Sequence, residues 1–392
     1  MNLAELYSLS SGQKLDKIYT FEKFFPGLPD NYIVIQPWSK PSKNYDAWEE
    51  VLSIILPYLQ KEGIKIIQVG AKDEKPLNFC QHLMGQTNWG QLEYVISKAK
   101  LVLTSDSISS HLAGHYNLPL VCLISNNLKE CVSPYFGDKS KQIILEPNRT
   151  NKNPSFMLDE GPNKQINEIF PEEIAKSVLK LLNIEFNYPY KTILLGKQFQ
   201  NRIIESDCTA PVNVQQMGLQ NILMRLDYSY NLNVLVQQAS LGKISIVTDK
   251  IIPTDLLSQI RPQIVEILYE IKSDSDPNFC KTLQELKIPY RLYSKLNDEQ
   301  LNPLKLNYLD YPIIGRVNTT MPPELKDKKI ENLFIKGSKF IISSRGLFPS
   351  YWSYKCNKPI PDFNAPPQQL IDINVEYLFQ DIDYLMFLEK SV

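Results

Sequence analysis

Residues 98 to 123, KAKLVLTSDSISSHLAGHYNLPLVCL, constrain the fold more than any other stretch because they read as strand, turn, helix, turn, strand. Leu101, Val102 and Leu103 form a short apolar run of the kind a parallel strand covered on both faces requires, and Pro119 to Leu123 form a second. Between them Ser105, Asp106, Ser107, Ser109 and Ser110 crowd the point where strand hands over to helix. Ligands bind at such points in open α/β sheets, where free helix N–H groups, the helix dipole and short polar side chains converge. His111 falls one turn into the helix and His115 one turn further, on the same face. The same stretch would also serve any doubly wound domain, with Asp106 or Ser107 only capping the helix.

A chain of 392 residues holds two ordinary cores. Its 43% hydrophobic and 22% charged content is that of a globular protein. A net charge of −1, with both signs spread along the chain, leaves no electrostatic footprint for nucleic acid. No window approaches a transmembrane span, and the start MNLAELYSLSSGQKLDK lacks the apolar core of a signal peptide, so a cytoplasmic location is expected. The six cysteines (80, 122, 131, 208, 280 and 356) form no C-x-x-C pair and read as reduced thiols. Asp274-Ser275-Asp276 and Asp381-Ile382-Asp383 fit D-x-D, but the first lies in a polar loop and the second on an expected C-terminal amphipathic helix. No metal is expected.

Upstream of the central stretch, Tyr32 to Ile35 reads as a strand running into a loop with Lys40 and Lys43. Asp46 is the expected N-cap of the next helix, with Glu49 as its capping-box partner and Pro57 as a kink. Ile64 to Val69 is the next strand, opening into Gly70, Ala71, Lys72, Asp73 and Glu74, the last expected to open a helix. Thr87 to Ala99 is helical, and Pro171 takes the first position of a helix carrying Ile174, Val178, Leu179 and Leu182. Residues 146 to 168, rich in Asn, Pro and Lys, read as a surface excursion.

These motifs in this order resemble the C-terminal, donor-binding half of the heptosyltransferase family, inverting glycosyltransferases of the GT-B type. The resemblance spans about residues 31 to 184. Its carriers are Lys43-Asn44-Tyr45, the Gly70-to-Glu74 turn, T-N-W-G-Q-L from Thr87, D-S-x-x-x-H from Asp106 to His111, Pro134-Tyr135 and the helix at Pro171. It implies a nucleotide-sugar donor, with ADP-sugar favoured, held by Lys43, Glu74, Asp106, Ser107, Ser109 and His111, and it implies no cofactor. The family's glycine two residues after the Asp is Ile108 here, and Ile124-Ser125 replaces its F-G.

The second half alternates again, with strands near Ile222 to Leu226, Lys243 to Val247, Ile264 to Tyr269 and Tyr290 to Tyr293, and with helices Leu232 to Ser240, Asp255 to Ile260 and Asn278 to Leu286 between them. Residues 59–74 can be laid on 283–299, and 99–120 on 338–360, which sets Arg345 against Asp106. The expected architecture is α/β: an arm (1–30), a donor-type Rossmann-like domain (31–187) and a second α/β domain (188–392), a candidate for acceptor binding, facing it across a GT-B-like cleft. Arg345 would line that cleft as an anion ligand.

An inverting transfer needs a carboxylate to take the acceptor's proton. Asp227 and Asp249, each closing a predicted strand, are the candidates. The chain thus reads as a metal-independent glycosyltransferase acting on a nucleotide-sugar and a glycan or other hydroxyl acceptor, with room for peripheral membrane contact. The alternative is a non-catalytic carbohydrate- or nucleotide-binding or structural assembly protein that retains the fold.

Overall fold

Six parallel strands organise the first part of the chain: β1 (Tyr32–Gln36), β2 (Lys65–Gln68), β3 (Gln81–His82), β4 (Val102–Ser105), β5 (Leu120–Leu123) and β6 (Gln142–Leu145), in the spatial order β3-β2-β1-β4-β5-β6. The computed structural model describes residues 1–16, 19–149, 153–161, 164–194, 198–199, 202–213, 221–317 and 322–390. Contacts divide the chain into Met1–Thr192 and a second unit that begins at Ile193.

In the first unit the helices are α1 (Leu3–Ser11), α2 (Trp48–Lys61), α3 (Trp89–Ser97), α4 (Ile108–His115), α5 (Lys129–Val132) and α6 (Pro171–Leu181). The strand order leaves β1 in one direction and returns to its other side at β4. Since crossovers are right-handed, helices must fall on both faces. Alternate residues of β1 separate accordingly. Ile33 and Ile35 pack with α2 and α6 residues such as Trp48, Val51, Leu52, Ile174 and Val178, whereas Tyr32 and Val34 pack with Val95, Ile96, Leu112 and Ala113 of α3 and α4.

Several local expectations are corrected. Ala47, not Asp46, takes the N-cap of α2 and makes no side-chain cap; Asp46 is turned to Lys164 and Asn167, and Glu49 accepts from the Asn78 N–H. No helix follows Glu74, which lies in a loop. The arm is more ordered than its weak pattern indicated: α1 carries a full capping box at Asn2, and Phe21 and Lys23 bond to Glu93 and Gly90 of α3.

The second unit contains β7 (Tyr190–Leu194), at which the chain enters it, then β8 (Ile203–Ser206), β9 (Asn221–Arg225), α7 (Leu232–Leu241), β10 (Lys243–Thr248), α8 (Thr254–Ile260), β11 (Ile264–Glu270), α9 (Asn278–Glu285), β12 (Tyr290–Ser294), α10 (Asp298–Lys305) and β13 (Gly315–Arg316). β14 (Leu333–Gly337), β15 (Lys339–Ser343), β16 (Gly346–Phe348), α11 (Tyr351–Lys355), β17 (Gln368–Gln369), α12 (Val375–Phe379) and β18 (Leu385–Lys390) complete it. Its main sheet has the order β13-β12-β11-β10-β9-β8-β15-β16, parallel except for the β15–β16 hairpin, and a second sheet has the order β17-β14-β18-β7.

From β8 to β13 the chain advances in one direction only, so right-handed crossovers place α7 to α10 on one face. That face is the apolar one: Ile204, Met224, Ile246 and Ile267 pack with Leu235, Leu257, Phe279, Leu283 and Leu301. The opposite face carries Glu205, Leu223, Arg225, Val247, Leu268 and Tyr293, as the strand registers require.

The helix–turn–strand equivalence of 59–74 with 283–299 holds in shape, since α2 leads into β2 and α9 into β12. The equivalence of 99–120 with 338–360 does not. Asp106 follows a parallel strand and precedes a helix, whereas Arg345 sits in the turn of an antiparallel hairpin.

One close approach fixes the helix that follows Asp106. A Cβ on Gly114 of α4 would stand 2.7 Å from the Phe136 carbonyl oxygen and 2.9 Å from Pro134 Cβ, and one on Gly137 would stand 2.5 Å from the Gly114 carbonyl. Gly137 also has φ +90°. Gly114→Val should therefore lower stability by about 1–3 kcal/mol through overpacking. The check is a reduced midpoint with an unchanged slope in urea unfolding.

Candidate functional site

The order of the first sheet reverses between β1 and β4, and the carboxyl ends of these two strands carry a cluster of polar side chains. Gln36 ends β1 opposite Thr104 of β4. Its side-chain oxygen accepts from Ser107 Oγ at 2.7 Å and from the Ser109 N–H at 3.3 Å, while its carbonyl accepts from Thr104 Oγ1 at 3.0 Å. Ser107 occupies the N-cap of α4 without capping it through its side chain; its hydroxyl is turned to Gln36, to which it donates. The simple capping reading is thereby set aside for Ser107. Asp106 accepts from Lys43 Nζ instead, at 2.5 Å on Oδ2 and 3.2 Å on its carbonyl.

Lys43 reaches Asp106 from the short helical turn Pro41–Lys43 after β1. The side chains are 19% and 7% exposed, so the pair is sheltered yet open to a ligand. His111, one turn into α4, is half-buried. Burial holds its imidazole below the ordinary value of 6.5; Asp106 acts against this and Lys43 adds to it, which places all three groups within electrostatic reach of one another. The hydroxyls of Ser105 and Ser109 are buried without a hydrogen-bond partner among the described residues. His115 is engaged elsewhere, ring edge against Tyr116.

Glu74 lies in the loop after β2, at the same edge of the sheet and two strands from β4, a distance of about 10 Å across. Its carboxylate folds against Gly70, where a Cβ would stand 1.8 Å from Oε2. Burial pushes its pKa up, partly offset by a hydrogen bond from the Ala71 backbone, and Oε2 has no hydrogen-bond partner among the described residues.

The 146–168 segment is not a detached excursion where it is described. The Leu158 carbonyl accepts from the Ser42 N–H at 3.2 Å, Phe156 N–H donates to Asn126 at 3.0 Å, and Lys164 bonds the Asn44 carbonyl at 2.6 Å. It thus rests on the loop that carries Lys43. Ile108 is 40% exposed at the N-terminus of α4.

In the second unit, Asp227 is held bidentately by Arg225, Nε to Oδ1 at 2.9 Å and Nη2 to Oδ2 at 2.7 Å. Asp249 meets Lys272 at 2.6 Å through Oδ2 and keeps Oδ1 buried without a hydrogen-bond partner among the described residues. Arg345 is exposed, its guanidinium 4.4 Å from the Tyr354 ring and 5.4 Å from that of Phe348.

Sequence reasoning missed Gln36 and Thr104. The signal was present, since YIVIQ is an apolar run that ends on a polar residue at the edge where Asp106 emerges. Among the described residues no group of three or more His, Cys, Asp or Glu could hold a metal ion, and no helix is long and apolar enough to cross a membrane.

Residues 5–157 match glycosyltransferase family 9 (heptosyltransferase), so the resemblance to that family is borne out over this stretch, which begins in the arm and stops before α6. No curated protein matches the chain. Similar solved structures include a glycosyl transferase family 9 protein of Veillonella parvula (21% identity, 40% of this chain and 48% of that one, TM-score 0.33). The Escherichia coli ADP-heptose lipopolysaccharide heptosyltransferase II gives 19% identity over 39% of this chain and 47% of that one, with TM-score 0.31. The dodecameric iron-containing heptosyltransferase TibC, from enterotoxigenic E. coli and solved with ADP-D-β-D-heptose, gives 13% identity over 40% and 46%, with TM-score 0.34. The match therefore spans about half the length of these proteins.

Two outcomes follow from the geometry. Lys43→Met should cost about 1–3 kcal/mol, because it leaves the sheltered Asp106 carboxylate unpaired, and should raise the His111 titration midpoint in NMR by removing a neighbouring positive charge. Because the folded imidazole of His111 titrates below 6.5, it adds stability that is fully present above about pH 6.5 and is lost as pH falls through the lower folded value. His111→Gln should accordingly show a smaller loss of stability between pH 7.5 and 5 than the parent chain in urea melts.

Proposed function

We propose that the first unit binds the nucleotide-sugar donor of a metal-independent glycosyl transfer with inversion. The observation that carries this reading is the Lys43–Asp106 pair beside the Gln36–Ser107 lock, at the reversal of a β3-β2-β1-β4-β5-β6 sheet. A diphosphate leaving group gathers negative charge as the anomeric bond breaks, and a fixed ammonium with nearby N–H and hydroxyl donors stabilises that charge more than the ground state. Lys43, the first N–H groups of α4 and the hydroxyls of Ser105, Ser107 and Ser109 fill this role. Asp106, being anionic, suits the ligand's hydroxyls and keeps Lys43 in position. Glu74, with one oxygen unpartnered and two strands away, suits the ribose. His111, neutral at pH 7, donates or accepts a single hydrogen bond. An ADP-sugar is the favoured donor, and a glycan or other hydroxyl compound the acceptor.

For the proton acceptor the proposal ranks Asp249 ahead of Asp227, because both oxygens of Asp227 are committed to Arg225. A second reading, a nucleotide-binding protein without turnover, draws support from the same pairing, since each candidate base is already held by a cation.

The test is calorimetric titration of the full chain with ADP and ADP-sugars, followed by a transfer assay. Glu74→Ala and Asp106→Ala should each weaken binding by about 1–3 kcal/mol. Unchanged affinity in both folded variants removes the donor site. Binding without transfer from any donor supports the second reading, and wild-type transfer by Asp249→Asn and Asp227→Asn removes both as bases.

A further inference from the structure

The face of the second unit's main sheet opposite α7 to α10 is not flat. It encloses a cavity of about 250 Å³ lined by Glu205, Leu223, Arg225, Val247, Leu268, Tyr293, Lys295, Val317, Lys339 and Gln380. Leu223, Val247 and Leu268 project from three consecutive strands, β9, β10 and β11, and with Val317 make an apolar floor.

Three cations against a single carboxylate line this space. The carboxylate, Glu205, is fully buried and binds Arg225 Nη1 at 2.8 Å and Lys339 Nζ at 2.9 Å, so it sits behind them. The remaining counter-charges, Asp227, Asp381 and Glu270, do not line the cavity. Burial works against the charge on Lys339 and on Arg225, yet the neighbouring carboxylates more than offset it and hold both above their ordinary ranges, so both stay cationic at neutral pH.

Donor capacity remains. An ammonium has three N–H groups and a guanidinium five. Lys295, at the rim, spends one on Glu270 at 3.0 Å; Arg225 spends Nε and one Nη2 N–H on Asp227, the other Nη2 N–H on Gln380 Oε1 at 3.4 Å and one Nη1 N–H on Glu205, which leaves one Nη1 N–H. The Gln380 oxygen already accepts from Tyr228 at 3.3 Å, which turns its amide N–H groups to other partners. The Tyr293 hydroxyl, which also lines the cavity, donates to Glu270 at 3.1 Å, so the donors left beside the apolar floor are the spare N–H groups of Lys295, Arg225 and Gln380.

We propose that this cavity binds a small organic oxyanion, a carboxylate or phosphate head on an aliphatic or aromatic body. The head meets Lys295 and the spare N–H of Arg225, and the body lies on Leu223, Val247, Leu268 and Val317. The volume limits that body to one ring or a short chain. This inference is independent of the donor site in the first unit.

The experiment is saturation-transfer NMR and calorimetry on the full chain, with hexanoate and phenyl phosphate as probes and with inorganic phosphate and methyl glucopyranoside as a head without a body and a body without charge. Saturation transfer to the body protons of hexanoate or phenyl phosphate is expected, and the tighter of the two identifies the head. Lys295→Gln, at the accessible rim, should weaken the binding about tenfold, the effect of losing one charged hydrogen bond. Leu268→Trp, which fills the cavity, should abolish it at an unchanged melting temperature. Asp106→Ala should leave it intact. The proposal is overturned if neither probe binds, if inorganic phosphate competes as well as the probes, if methyl glucopyranoside binds in their place, if Asp106→Ala removes binding, or if Lys295→Gln leaves the affinity unchanged; this last arm stands even where the tryptophan variant does not fold.

Discussion

The handedness of the crossover between parallel strands decides where each unit can hold a ligand. In the first sheet the chain starts in the middle, goes out to β3 and returns to β4, and a right-handed connection then covers both faces with helices. What stays open is the edge at the carboxyl ends of β1 and β4, where adjacent loops part in opposite directions. In the second unit the same rule acts on a monotonic order and gives the opposite result: α7 to α10 crowd one face and leave the other. One candidate site is an edge crevice and the other a face cavity.

The two sites also treat charge differently. Lys43 and Asp106 form one pair at a partly open edge, where solvent and any ligand share the cost of keeping the charges. In the second unit Arg225, Glu205, Lys339 and Asp381 are buried together, and each is bonded to at least one opposite charge. Removing one member of such a set leaves an uncompensated buried charge, which costs more than the intact set contributes. The network therefore holds β8, β9 and β15 in a single register, because a slip of one residue would turn Glu205 or Arg225 into the apolar face.

Most of the element order could be read from periodicity. The strands and helices between Leu232 and Tyr293 fall within a residue or two of their sequence-based bounds, since short strands rich in Ile, Val and Tyr between helices of regular apolar spacing are strong signals there. The one-sidedness of the second sheet was also legible and went unread. In KISIVT, IVEILYE and YRLYS the charged residues and Ser245 all fall on one face, whereas LVCL in the first sheet is apolar on both. Other features were not legible. Asp46 has the identity of a cap, but Lys164 and Asn167, far along the chain, compete for its carboxylate and win it. Arg345 resembles Asp106 in its flanking pattern only, because a strand followed by a glycine turn serves a hairpin as well as a crossover. Of the residues expected at a donor site, Lys43, Asp106, Ser107, Ser109 and His111 come together at one edge, while Glu74 stands two strands away.

Gln36 shows why the cluster has the geometry it has. As the last residue of β1 it faces Thr104, and its two oxygens between them take a hydroxyl of β4, the hydroxyl of the α4 N-cap and an N–H of the first turn of α4. Those bonds fix the start of α4 from the strand beside it, so Ser107 need not cap the helix and Asp106 need not either. Among the described residues the Asp106 carboxylate keeps one partner, Lys43, which arrives from the loop β1 opens into. The same strand end thus anchors α4 and sends out the ammonium that neutralises Asp106. A neutral side chain of Gln36's length is what permits this: a Glu there would accept the same hydrogen bonds but would set a second negative charge close to Asp106 and compete for Lys43.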